Sequence, residues 1–170
     1  MFLPRLDSTH YAGFQGAIAA RNILLPLTDP GTLDEIPACT FTSPEIASIG
    51  KTEAETKLEF GGGAVAVASM RLDRVDRAIC DGETKGIIKV IYHKRNGKIL
   101  GATVMSPSAG EMISEIAVAM KAKMKFQDLA KVIHPYPSYS IALQLLAAQV
   151  YYEGIKKSKG LYDFLKWLGL

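Results

Sequence analysis

Hydrophobic and polar positions along the chain alternate between a helical and a strand-like period. Over residues 9–25 the apolar positions Tyr11, Phe14, Ile18 and Leu25 recur near a 3.6-residue period. This predicts a helix with Thr9 as its N-cap, stopped by Pro26. Residues 28–37, TDPGTLDEIP, are rich in turn formers and acids and read as a linker. From Ala38 the period shortens. Cys39–Thr42 and Ile46–Ile49 are short strand candidates, and Thr52 with Glu55 forms a capping box that starts a short helix, Glu53–Glu59. Three glycines, Gly61 to Gly63, end that helix and lead into an alternating strand, Ala64–Met70. Residues 71–85 are charged and read as a connection with a short edge strand near Arg77–Cys80.

The clearest local pattern follows. Ile87–His93 and Ile99–Met105 are strand-like runs joined across Arg95-Asn96-Gly97-Lys98, and Asn-Gly predicts a type I′ hairpin turn with both central residues at positive φ. After Pro107, residues 109–123 place Met112, Ile113, Ile116, Ala117 and Met120 on one helical face, with Glu111, Ser114, Glu115 and Lys121 outside it. A short helix over Phe126–Val132 then delivers the chain to VIHPYPSYSIALQLL, residues 132–146.

The other elements are arranged around that stretch. Pro135 and Pro137 fix their own φ and keep His134 and Tyr136 extended, on a stiff corner. Ser138 is a natural N-cap for a helix over Tyr139–Tyr152. A histidine and a phenol on a rigid loop are suited to reaching into a site, although a prolyl turn that only packs a core helix explains these features equally well. The helix after Ser138 is apolar on every side: Ile141, Ala142, Leu143, Leu145, Leu146, Ala147, Ala148 and Val150 leave almost no polar face. Such a helix must be covered all round, and a second subunit is the economical cover. The tail, residues 154–170, is basic and then amphipathic, with Phe164, Leu165, Trp167 and Leu168; packing on its own protein is favoured over a membrane-surface helix.

Composition narrows the function classes. With 170 residues, 48% hydrophobic and 22% charged, the chain is globular. A formal charge of +3 is too small to argue for nucleic acid or a membrane as partner. No apolar run reaches the roughly 20 residues that span a bilayer, and the N-terminus lacks a signal-peptide pattern. Cys39 and Cys80 stand far apart with no CxxC and no histidines at metal spacing, so both read as ordinary thiols and no metal site is expected. An intracellular, cytoplasmic setting fits these observations.

Taken together, IPACTFTSPEIASIGKTEAE (36–55), RAICDGETKGIIKVIY (77–92), KILGATVM (98–105) and VIHPYPSYSIAL (132–143) resemble the C-terminal interface domain of the pyridine nucleotide-disulfide oxidoreductases, and most closely the mercuric-reductase-like branch. The resemblance implies an α+β fold, an antiparallel β-sheet with helices packed on it. STHYAGFQGAIAARNIL, at the front, is similar to the last helix of the family's flavin domain. The implied organisation is a flavin-domain remnant over 1–35, the dimerisation domain over 36–153, and the tail over 154–170. Thr9 and His10 would then lie beside the flavin in a complete enzyme, and His134 and Tyr136 would be the catalytic residues of the loop. The resemblance also implies a cis Tyr136–Pro137 peptide bond, a homodimer, and flavin and nicotinamide domains of a parent enzyme as further partners. No GxGxxG and no CxxxxC occurs in the chain, so no cofactor is expected in it alone; FAD and NAD(P)H belong to the complete enzyme.

The loop departs from the family pattern. Where lipoamide-dehydrogenase-like members carry an acid/base histidine and a downstream glutamate, this chain has Tyr136 and Ile141. A phenol with a pKa near 10 is a poor base at neutral pH, and Ile141 can neither orient a base nor complete a capping box from Ser138. The absence of the mercuric members' C-terminal cysteine pair argues against mercuric ion as substrate. Two readings result: the dimerisation domain of an FAD-dependent NAD(P)H disulfide oxidoreductase, inactive alone, or a stand-alone interaction module that kept the fold and lost catalysis. The leftover helix at 9–25 favours the first.

Overall fold

The computed structural model describes residues 8–26, 28–33 and 35–168, with residues 157–165 as backbone only. Five strands appear in chain order: β1 (Ala38–Thr40), β2 (Glu45–Gly50), β3 (Val65–Arg71), β4 (Ile87–His93) and β5 (Ile99–Ser106). The helices are α1 (Thr9–Leu24), α2 (Glu53–Phe60), α3 (Asp76–Cys80), α4 (Ala109–Lys121) and α5 (Ile141–Trp167). The strands form one antiparallel sheet in the order β1-β2-β5-β4-β3. This is the α+β architecture expected from the sequence.

The hairpin lies at the sheet's centre because β5 is the most apolar strand and is covered on both faces. Its turn differs from expectation. Of the pair Asn96-Gly97, only Gly97 has positive φ, at 72°. The loop is four residues long, closed by His93 N donating to the Lys98 carbonyl at 2.9 Å, so the two-residue I′ geometry does not arise. Gly101 is required for a different reason. The Lys51 backbone crosses directly over it, and a Cβ there would collide with the Lys51 carbonyl.

One face of the sheet meets α4, α5 and a 3₁₀ helix, Phe126–Lys131, which stands where an α-helix was predicted over 126–132. Val90, Val104, Ile113, Ile116, Phe126, Leu143 and Leu146 are buried together in this layer. At about 1.5–3 kcal/mol per fully buried large side chain, this layer is the principal source of stability. The opposite face is partly covered by α2, over a small cluster of Val65, Ile91 and Leu100. The Thr52–Glu55 capping box is present, and Glu53 pins α2 to β4 through Lys89 at 2.6 Å. Hydrogen bonds from Lys57 and then Lys89 bring the Glu53 carboxyl down to about 2.

Residues 72–80 form a 3₁₀ turn followed by α3, not an edge strand. Leu72, Val75 and Ala78, all fully buried, are spaced by three, a helical period hidden among charges. Ser8, not Thr9, holds the N-cap position of α1, without a side-chain cap bond. The linker after α1 folds back on it: Tyr11 is buried, and its hydroxyl lies 3.4 Å from the Gly31 carbonyl. α5 begins at Ile141, and Ser138 Oγ accepts from Ile141 N at 3.3 Å. It then continues past Tyr152 as one helix to Trp167, across the boundary drawn at 153 from the sequence. No helix among the described residues is long and apolar enough to cross a membrane.

The start of α4 is capped from a distance. Ser108 makes no side-chain bond there; Glu45 Oε2, from β2, accepts from Gly110 N at 3.0 Å. Glu45→Ala is therefore expected to lower stability by about 1 kcal/mol, read as a fall in the urea midpoint at unchanged slope.

Candidate functional site: the His134–Tyr139 loop

The loop leaves the 3₁₀ helix at Val132 and enters α5 at Ile141. Its corner contains a cis Tyr136–Pro137 bond, as the family resemblance implied; Ser43–Pro44 is also cis. Every polar ring on it is tied to a group from outside.

His134 turns inward, and its side chain is only 7% exposed. Nδ1 lies 2.9 Å from the Val132 carbonyl and 3.2 Å from Gln144 Oε1 on α5. A carbonyl only accepts, so Nδ1 donates. Nε2 lies 2.8 Å from Glu115 Oε1 on α4. One imidazole thus joins α4, the loop and α5, with neither nitrogen free. Glu115, assigned to the polar side of α4 from periodicity, is half-buried because it faces this ring.

Tyr136 points outward and is 69% exposed. Its hydroxyl donates to Asp76 Oδ2 on α3 at 2.8 Å, and this carboxylate raises the phenol above its ordinary pKa. Tyr139 donates to Asp81 Oδ2 at 2.9 Å. Burial first, then Asp81, pushes the Tyr139 hydroxyl up to about 12. Asp81 is itself held low by Arg77, which lies 2.7 Å away, and then by Tyr139. Each phenol therefore keeps its proton at neutral pH and acts as a donor.

A cleft of about 420 Å³ opens between the start of α4 and the loop, lined in part by Arg77, Glu111, Glu115, Ser138 and Tyr139. Thr9 and His10 stand exposed at the start of α1, where His10 Nε2 donates to the Pro37 carbonyl at 3.1 Å. They do not join the His134 cluster. Asp76, Asp81, Glu115 and Gln144 were not singled out from the sequence, since their partners lie 10 to 60 residues away. No group of three His, Cys, Asp or Glu that could hold a metal ion occurs among the described residues. The residues present also do not fit a dinucleotide on their own. The sheet is wholly antiparallel, with no glycine-rich strand–turn–helix to receive a pyrophosphate, and Thr9 and His10 amount to one helix end.

An antiparallel sheet backed by helices, with a prolyl loop leading into α5, makes an α+β domain. The family model described as "Pyridine nucleotide-disulphide oxidoreductase, dimerisation domain" matches residues 36–147, and the chain belongs to this family. It is 36% identical over 135 residues to a dihydrolipoyl dehydrogenase of Mycoplasma pneumoniae, covering 79% of this chain and 29% of that protein. It is 35% identical over 142 residues to a mercuric reductase of Bacillus cereus, covering 84% and 22%. Both kinds of relative match at nearly the same identity, so the likeness does not single out the mercuric-reductase-like branch. The crystal structure of LpdA from Mycobacterium tuberculosis superposes with a TM-score of 0.73 at 29% identity, over 82% of this chain and 30% of that one. The chain thus spans less than a third of the length of these proteins.

Two outcomes test the loop's ties. Glu115→Ala leaves a buried imidazole nitrogen without its partner and should cost about 1–3 kcal/mol in denaturant unfolding. Tyr139 holds its proton more tightly folded than unfolded. Its contribution is therefore complete below pH ~10 and is lost as pH rises toward about 12. Ultraviolet titration of tyrosine ionisation should show a late step that Tyr139→Phe removes.

Proposed function

We propose that this chain is the dimerisation domain of an FAD-dependent NAD(P)H disulfide oxidoreductase and has no catalytic activity alone. Residues 36–153 form the interface domain, 1–35 the end of a flavin domain, and 154–170 an appended tail. In the complete enzyme FAD would pass electrons from NAD(P)H to a disulfide. This chain's part is to pair two subunits and to present its loop to the partner's flavin domain. Tyr136 is the residue turned toward that site, as a hydrogen-bond donor rather than a base. His134 acts from behind it, holding the corner through Glu115 and Gln144. Thr9 and His10 would border the flavin once the rest of its domain is present. An intracellular setting follows from this reading.

The observation that carries the proposal is a stripe on α5. Ala142, Leu143, Leu146 and Ala147 are buried in the domain's own core. Leu145, Ala148 and Tyr152, spaced by three and four, make a second apolar line. Leu145 is 43% exposed and Tyr152 61%. A two-fold contact covers this line in both copies with the same patch. The relatives are reductases and dehydrogenases, so the stand-alone interaction module is not favoured.

The purified chain should be a dimer at micromolar concentration by sedimentation or light scattering, and Leu145→Glu should convert it to a monomer. A monomeric wild type would overturn the reading. The preparation should also be colourless and should not oxidise NAD(P)H; stoichiometric bound flavin would contradict the proposed division of labour.

A further inference from the structure

The formal charge of +3 conceals an uneven distribution. The hairpin turn presents Lys94, Arg95 and Lys98, and the end of α4 with the turn after it presents Lys121, Lys123 and Lys125; all six are exposed. Two backbone contacts hold the groups together. Lys98 and Lys125 form a β-bridge, and Phe126 N donates to the Gly97 carbonyl at 2.8 Å. Gly97 packs directly on Lys125 and Gln127, so the two turns form one surface. This end is remote from the prolyl loop. Arg71, from which the chain runs into α3 and Asp76, pairs with Ile87 at the start of β4, whereas the hairpin turn follows His93 at the other end of that strand. The 7 residues of β4 set the two ends about 20 Å apart.

None of the six cations forms an ion pair among the described residues. Lys94 Nζ donates to the Gly63 carbonyl at 2.9 Å, a neutral partner that leaves its charge uncompensated. Asp128 is the only carboxylate in residues 94–98 and 121–128, and it is engaged in accepting from Lys125 N at 3.2 Å. Glu153, the carboxylate that α5 brings toward Tyr92, accepts from Gln149 at 3.2 Å. Like charges gathered in this way repel one another, and nothing within the two turns offsets the repulsion. Lys123 adds an independent cost. It stands just past the end of α4 at φ 55°, the only non-glycine residue at positive φ among the described residues. Its N–H donates to the Met120 carbonyl, and Met124 N donates to the Ala119 carbonyl, a helix stop at which glycine is the unstrained choice. A lysine there is strained, and what it contributes is its charge.

We propose that this end of the domain is a docking surface for an acidic segment of a partner protein, a run of Asp and Glu carboxylates laid across the two turns. Charge complementarity selects an anion, and the make-up of the patch selects among anions. All but Arg95 are lysines, compact point charges that attract carboxylates without the bidentate fork by which arginine grips phosphate. Neither turn carries an exposed aromatic ring to stack on a base, and the nearby Tyr92 and Phe126 rings pack on each other at 5.4 Å. The turns also lack a side chain to insert into a bilayer, because their one large apolar residue, Met124, is half-buried against the core. An acidic strand or loop needs neither.

The full chain is titrated into a fluorescein-labelled decaglutamate peptide, with decaserine as control, and binding is read by fluorescence anisotropy. Saturable binding of decaglutamate alone is expected, weakening as salt is raised. Lys98→Gln combined with Lys125→Gln should weaken it about fivefold, with unchanged circular dichroism. Arg74→Gln combined with Lys85→Gln removes the same charge from exposed positions at the other end of β4 and should leave binding within about twofold. Lys123→Gly should raise the urea midpoint and still weaken the peptide about twofold, which separates the residue's charge from its place in the fold. Failure of decaglutamate to bind, or equal losses in the two double variants, would overturn the proposal. So would tighter binding of a DNA duplex, or of phosphatidylserine vesicles, than of the peptide at the same salt.

Discussion

The burial of one imidazole constrains this domain more than any other polar contact. His134 sits between Glu115 of α4 and Gln144 of α5, with its own chain's Val132 carbonyl as third partner. A buried polar ring is stable only when its nitrogens are satisfied, so these elements cannot shift independently. The corner of two prolines that follows inherits its direction from this anchor. Tyr136 is turned outward because His134 is turned inward.

The loop lacks a carboxylate of its own at Ile141, and it is supported by carboxylates from elsewhere. Asp76, at the start of the short helix α3, and Asp81, just past its end, each take one phenol, and Arg77 holds Asp81 in place. The consequence is chemical as well as structural. A phenol donating to a carboxylate is held in its neutral form, which suits it to orienting a partner and not to accepting a proton. Ordering and proton chemistry are thus separated in this loop, with the ordering done by residues that come from three other elements.

The same separation holds at the scale of the whole domain. One side of α5 completes the domain's own core, and Leu145 and Tyr152 on the same helix face outward. One side of the domain's core and the proposed two-fold face are carried by one 27-residue helix, so a change of its register would disturb both.

Much of the fold was legible in the sequence. The hairpin, the Thr52–Glu55 capping box and the amphipathic helix after Pro107 all rest on interactions between residues close in the chain, and the patterns that encode them are local. Local reading failed where tertiary contact overrides it. Residues 72–80 are helical because Leu72, Val75 and Ala78 seek the core, although charged neighbours mask the period. Asn96-Gly97 does not make a two-residue turn, because strand register sets the length of the loop. His134 and Tyr136 could be picked out from their prolines, but Asp76, Asp81, Glu115 and Gln144 could not. Nothing in the local sequence of a surface-looking glutamate announces a buried ring 19 residues away. Net charge was likewise a property of the sequence, whereas the meeting of Lys98 with Lys125 was decided by where the hairpin and the turn after α4 converge. A sequence records which charges exist; only the packing of distant segments determines which of them share a surface.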